Sequence, residues 1–100
     1  MHILPFTLIK IGSGFHPVID IEVDGKSCKG LIDTGANITV KTMSAKGALM
    51  FLVNGVNYLL RSKYHKKYPG NEVLVIIGND ILIREKAVIN YADNTITFNR

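Results

Sequence analysis

Asp33-Thr34-Gly35 is the part of this sequence best suited to chemistry. It follows the apolar pair Leu31-Ile32, so an ionisable carboxylate stands where a strand leaves the core. Gly35 lets the backbone turn sharply beside it, and the Thr34 hydroxyl can hydrogen-bond neighbouring backbone. A carboxylate at the mouth of a core has a proton affinity open to burial and to nearby charge, which general acid–base catalysis requires. The same residues also suit an ordinary turn, in which Asp33 accepts hydrogen bonds from the amides that follow it. A second segment, Val75-Ile76-Ile77-Gly78-Asn79-Asp80-Ile81-Leu82, reads as a buried strand broken by glycine and continued as a helix. Asp80 would there be a first-turn acid that bonds free amides. Each segment alone is unremarkable as structure. Their order is more specific: an apolar strand entering Asp-Thr-Gly-Ala, then a hairpin, then Ile-Ile-Gly-x-Asp-x-Leu.

The elements that must position these residues have a period of two. Ile19, Ile21 and Val23 alternate with Asp20 and Glu22, the pattern of a strand with one wet face. Phe6–Ile11 reads as an earlier strand, with a turn at Gly12-Ser13-Gly14. Asp24-Gly25 marks a tight hairpin whose return strand runs over Ser27–Ile32. Ile38–Lys41 is a further short strand. Leu49–Val53 and Val56–Leu60 flank Asn54-Gly55, a second hairpin signal. Arg61–Asn71 is basic, tyrosine-bearing and closed by Pro69-Gly70, as an exposed loop would be. Val73–Ile77 reads as a strand buried on both faces. A short helix follows over Asp80–Lys86, capped by Asn79 or Gly78, and a last hairpin pairs Ala87–Tyr91 with Thr95–Phe98. The class is mostly β with one short helix, and many short strands point to a barrel or sandwich.

Size and composition narrow the function. One hundred residues fit a single domain spanning 1–100. A lone Cys28 excludes an internal disulfide and a cysteine-rich zinc site. His2, His16 and His65 lack metal-ligand spacing, so neither a metal nor another cofactor is expected. The longest fully apolar runs, Ala48–Val53 and Val73–Ile77, fall far short of the ~20 residues of a membrane helix, and no signal-peptide pattern opens the chain. Twelve Lys+Arg against eight Asp+Glu give a net charge of +4, too small an excess to make nucleic acid the expected partner.

On its two segments the sequence resembles the retropepsin family, the aspartic proteases of retroviruses, retrotransposons and pararetroviruses. Ile32–Ala36 looks like the family's catalytic Asp-Thr-Gly-Ala loop, and Ile76–Leu82 like its downstream strand–glycine–helix element. Ala87–Tyr91 with Thr95–Phe98 is similar to the closing hairpin of retrotransposon and plant pararetrovirus members. The resemblance covers nearly the whole chain. It implies a small closed β-barrel with a flap hairpin and one short C-terminal helix, the active site lying at a homodimer interface. It further implies an aspartic endopeptidase acting on a viral or retroelement polyprotein, in the host cytoplasm or in a virus-like particle. Asp33, Thr34 and Gly35 would be catalytic. Ala36, Asn37, Asn54, Gly55 and Ile76 would bind substrate, with Leu31 a further pocket wall. One Asp-Thr-Gly per chain requires a twofold partner to supply the second carboxylate, and the isologous interface would lie at the Asp33 loops. Asp80 lacks the Thr-Gly loop and is a poor second member.

Three departures bear on this expectation. Asn37 and Asn79 stand where many retroviral members carry an aspartate and an arginine, and a neutral Asn–Asn contact is weaker than that ion pair. Only Gly55 and Gly47 serve the hairpin taken as the flap, where retroviral flaps usually carry several glycines. The 42 residues between Gly35 and Gly78 are fewer than retroviral members usually have, which predicts a missing or rearranged strand pair. Two other classes of function fit the same chain. One is a retropepsin-like dimerisation or binding module without turnover. The other is a small β-barrel that binds nucleic acid through Arg61–Lys67, which a salt-dependent affinity would reveal.

Overall fold

The structure is a computed structural model and describes residues 1–42, 49–53, 55–60, 65–66 and 73–100. The chain opens with β1 (His2–Pro5), β2 (Thr7–Ile11), β3 (Gly14–Val23) and β4 (Lys26–Ile32). It continues through β5 (Val40–Thr42), β6 (Leu49–Val53), β7 (Val56–Leu60), β8 (His65–Lys66) and β9 (Val73–Ile77). A helix, α1 (Asn79–Arg84), leads to β10 (Ala87–Asn90) and β11 (Thr95–Phe98).

Alternation on β3 turns Ile19, Ile21 and Val23 inward and leaves Asp20 and Glu22 exposed. β3 pairs antiparallel with β4 from Val18 opposite Leu31 to Val23 opposite Lys26. The two-residue turn works because Asp24 and Gly25 both adopt positive φ, 49° and 82°, the geometry that matches the twist of the flanking strands. β4 then lies parallel to β9, and β9 pairs antiparallel with β5. β9 is therefore covered on both edges, and Val75, Ile76 and Ile77 have no exposed surface. A continuous apolar run is what such a position selects.

The main sheet runs β7-β6-β3-β4-β9-β5-β8, with β2 added beside β3, and it curls into a half-barrel. Among the described residues its outermost strands, β7 and β8, are not paired with each other. The chain's first and last strands do not close it, because they form a separate three-stranded sheet, β1-β11-β10. The main core gathers Ile19, Ile21, Ile32, Phe51, Ile77 and Phe98 with others. A smaller cluster packs Val18, Leu31 and Ile76 under Ile9, Ile11 and Val40.

Several boundaries differ from the sequence reading. β1 was not anticipated, since it pairs with β11 at the far end of the chain. Phe6 does not start a strand; it is a buried break between β1 and β2 whose N–H bonds the Asn94 carbonyl at 2.9 Å. The short strand expected over Ile38–Lys41 begins two residues later, at Val40. His65–Lys66, expected within an exposed loop, pairs in parallel with Lys41–Thr42. The rest of Arg61–Asn71 lies outside the described residues. The helix stops at Arg84, two residues before Lys86, because Lys86 takes a left-handed φ of 51°. Its N-cap is Gly78, which offers no side-chain bond.

Candidate active site

The Asp33 loop is built where β4 ends beside β9. The Asp33 N–H donates to the Ile77 carbonyl at 2.9 Å, which extends the parallel ladder by one bond. The chain then turns: Gly35 N–H donates to Asp33 Oδ1 at 3.0 Å, and Ala36 N–H to the Asp33 carbonyl at 3.1 Å. This is the aspartate turn that sequence alone allowed, and it orients the carboxylate. Asp33 is half-buried, while Thr34 and Gly35 are exposed.

From Ala36 to Thr39 the chain crosses the end of β9 and is tied to the start of α1. Asn79 N–H donates to the Ala36 carbonyl at 2.8 Å and Asp80 N–H to the Asn37 carbonyl at 3.2 Å. Asn79 Nδ2 donates to the Thr34 carbonyl at 2.7 Å. The first amides of the helix are thus satisfied by loop carbonyls, as a helix start requires. Gly78 lies beneath this crossing. A Cβ at residue 78 would stand 2.6 Å from the Ile38 carbonyl oxygen and 2.9 Å from that of Ala36, so only glycine fits.

Asp80 closes the arrangement from the other side. Its Oδ2 accepts from Thr39 N–H at 3.0 Å, and its Oδ1 accepts from the Thr39 hydroxyl at 2.7 Å and from Ile81 N–H at 2.9 Å. Thr39 Oγ1 in turn accepts from Gly78 N–H at 3.0 Å. Asp80 is therefore a structural acid, bonding the free amides of a helix start. Thr39, 5% exposed, is the central residue that sequence reasoning missed. Its partner Asp80 lies 41 residues away, and no local pattern could have joined them.

The other expected site residues are dispersed. Ala36 is half-buried and Asn37 exposed, both on the Asp33 loop, with Ile38 beside them 50% exposed. Ile76 and Leu31 have no exposed surface; they are sealed against Val18, with Ile9, Ile11 and Val40 packed around them. Ile76 is thus a core residue with no exposed surface in the single chain. Asn54 lies outside the described residues. Gly55 is exposed at the turn between β6 and β7, with φ 73°. It borders an open cavity of about 490 Å³ with Leu4, Asp20, Glu22 and Val53, and none of residues 33–37 lines that cavity.

Among the described residues no cluster of His, Cys, Asp and Glu could hold a metal ion, and no helix is long and apolar enough to cross a membrane. Compared with models of known protein families and with curated proteins, the sequence finds no match.

Proposed function

We propose that this chain is a retropepsin-type aspartic endopeptidase that acts as a homodimer on a viral or retroelement polyprotein. The observation that carries the reading is a division of labour between two acids. Asp33 stands half-buried at the turn of a loop whose backbone is fixed by β9 and α1. Asp80, the other acid of this region, has both carboxylate oxygens engaged by Thr39. Asp80 is committed to Thr39 and to the first turn of α1, so a two-carboxylate reaction takes its second carboxylate from Asp33 of a second copy.

In that dimer the two Asp33 carboxylates share one proton, since like charges at short range do not both ionise. The ionised member takes a proton from a water molecule as that water attacks the scissile carbonyl. The protonated member donates its proton to the carbonyl oxygen, giving a tetrahedral diol; the member that took water's proton then passes it to the amide nitrogen as the C–N bond breaks, and the first member recovers a proton from the diol as the new carboxyl group forms. Gly35 and Asn37 meet the substrate backbone, and Thr34 joins the two loops across the axis. An extended peptide adds to the exposed backbone as a strand would, and alternate side chains set specificity. The loop's fixed hydrogen bonds favour this chemistry because they remove reorganisation before reaction.

Cleavage of a peptide library between pH 4 and 7 tests the reading, with Asp33→Asn and the inhibitor pepstatin alongside. Asp33→Asn is expected to lower cleavage by about a thousandfold or more while the circular dichroism of the fold persists. Cleavage that survives the substitution removes the mechanism. No cleavage by a dimeric wild-type chain turns the reading to a binding module without turnover.

A further inference from the structure

The two edges of β3 are covered differently. Val18 is registered with Leu31 of β4 and with Thr7 of β2, so β2 and β4 lie on opposite edges of β3. Glu22 and Val23 are registered with β4 and also with Leu52 and Phe51 of β6, which puts β6 on the same edge as β2. Between β2 and β6, Ile19, Asp20 and Ile21 pair with β4 alone. This gap has a hydrogen-bonding sense. Asp24 N–H donates to the Met50 carbonyl of β6 at 2.8 Å. Backbone groups alternate between the edges of a strand, so those of Glu22 and then Asp20 point the same way. The Asp20 N–H and C=O therefore open onto the gap, where no strand of the described residues pairs with them. The gap is one wall of the open cavity of about 490 Å³, which Asp20, Ile21 and Glu22 line together with Leu4 of β1 and Leu52 and Val53 of β6.

The site combines an unpaired strand edge, an apolar wall and two carboxylates. An unpaired edge is a template for another strand. The carboxylates say which strand. Asp20 and Glu22 stand exposed on the wet face of β3, a local reversal of sign in a chain of net charge +4. Lys29 pairs with Asp20, whereas Glu22 has no ion pair among the described residues. Leu52 is the cross-strand partner of Glu22 on that same face and is half-buried. We propose that the gap binds an extended peptide segment of a partner protein, with an arginine between two apolar residues, as an added strand at Asp20. The segment's backbone pairs with the Asp20 N–H and C=O. Four steps of strand from Val18 to Glu22 span about 13 Å, which admits three added residues. The arginine lies on the wet face, its stem along Leu52 and its guanidinium at Glu22. Its two apolar neighbours alternate to the inner face and meet Leu4, Ile21 and Val53. None of residues 33–37 lines this cavity, so the inference does not depend on the proposed peptidase activity.

An amide NMR titration of the whole chain with the peptide threonine-valine-arginine-valine-threonine tests it. The chain carries Asp33→Asn, so the peptide is read as a ligand whether or not the native chain cleaves peptides, and a failed site and a failed peptidase are separable. The amides of Ile19, Asp20 and Ile21 are expected to shift and to saturate by millimolar peptide. Glu22→Gln should weaken binding about fivefold, and so should norleucine in place of the arginine, as for an exposed ion pair. Methylating the three central amide nitrogens of the peptide should weaken it more than tenfold, because a strand partner is lost. The amides of Leu31 and Ile76 check that the Glu22→Gln chain keeps its fold. The proposal is overturned if the Ile19–Ile21 amides stay unmoved at millimolar peptide, wherever else the peptide binds. It is equally overturned if Glu22→Gln and norleucine leave the affinity unchanged, or if the methylated peptide binds as well as its parent.

Discussion

At the scale of single residues, the structure sorts ionisable groups by what surrounds them. Asp20 and Lys29 pair on the wet face of the β3–β4 hairpin, both partly exposed, and such a pair adds little stability. Cys28 is different. Burial pushes its thiol up from 9.0 to about 11, partly opposed by the charge of Lys29. Because the folded state favours the protonated thiol, its contribution to stability is complete below about pH 9 and is lost as pH rises toward 11. Reactivity follows the same sign. A rise of two units lowers the thiolate fraction about a hundredfold, and the greater nucleophilicity of a more basic thiolate restores about tenfold of that. Iodoacetamide at pH 8 should therefore alkylate Cys28 about tenfold more slowly in the native protein than in urea. Mass spectrometry of timed samples checks this.

At the scale of elements, the decisive unit is the crossing of the Asp33–Thr39 loop over β9. It joins β4 to β5, strands that flank β9 on opposite edges, so the loop must arch across the end of that strand. Gly78 makes the arch possible and Thr39 with Asp80 fastens it. Gly78→Ala should destabilise the protein by about 3 kcal/mol, since its methyl group meets rigid carbonyl oxygens and not a flexible side chain. Urea unfolding followed by circular dichroism measures the loss. If the proposed activity holds, cleavage should fall along with stability, because the same arch fixes Asp33. The hairpins were legible as elements because Asp24-Gly25 and the apolar runs around residue 55 are local signals. The fastening of the arch was not legible, since it depends on contacts between residues some forty positions apart.

At the scale of the whole molecule, the exposed Asp33 loop and the division between Asp33 and Asp80 make activity a property of two chains in the proposed function. Cleavage per chain should then fall with dilution, and in parallel with the dimer fraction seen by sedimentation. Asn37 is exposed and Asn79 is committed to the Thr34 carbonyl, so no ion pair is available from these positions to steady the pair. The dimer's dissociation constant should accordingly lie above the nanomolar range. A dimer that persists at nanomolar levels contradicts this expectation, and activity independent of concentration contradicts the two-chain site itself.

The amino-acid sequence by itself determined the mostly β class, the single helix, both inner hairpins and the turn that presents Asp33. Each of these depends on residues within a few positions of one another, through period-two burial, turn chemistry and the glycine at residue 78. Tertiary structure alone decided which strands became neighbours. It put β9 between β4 and β5, curled the main sheet into a half-barrel, drew the first and last strands into a sheet of their own, sealed Ile76 against Leu31 and Val18 and buried Glu85. Those outcomes follow from long-range packing of apolar faces, and a one-dimensional pattern records which face is apolar without recording what will cover it.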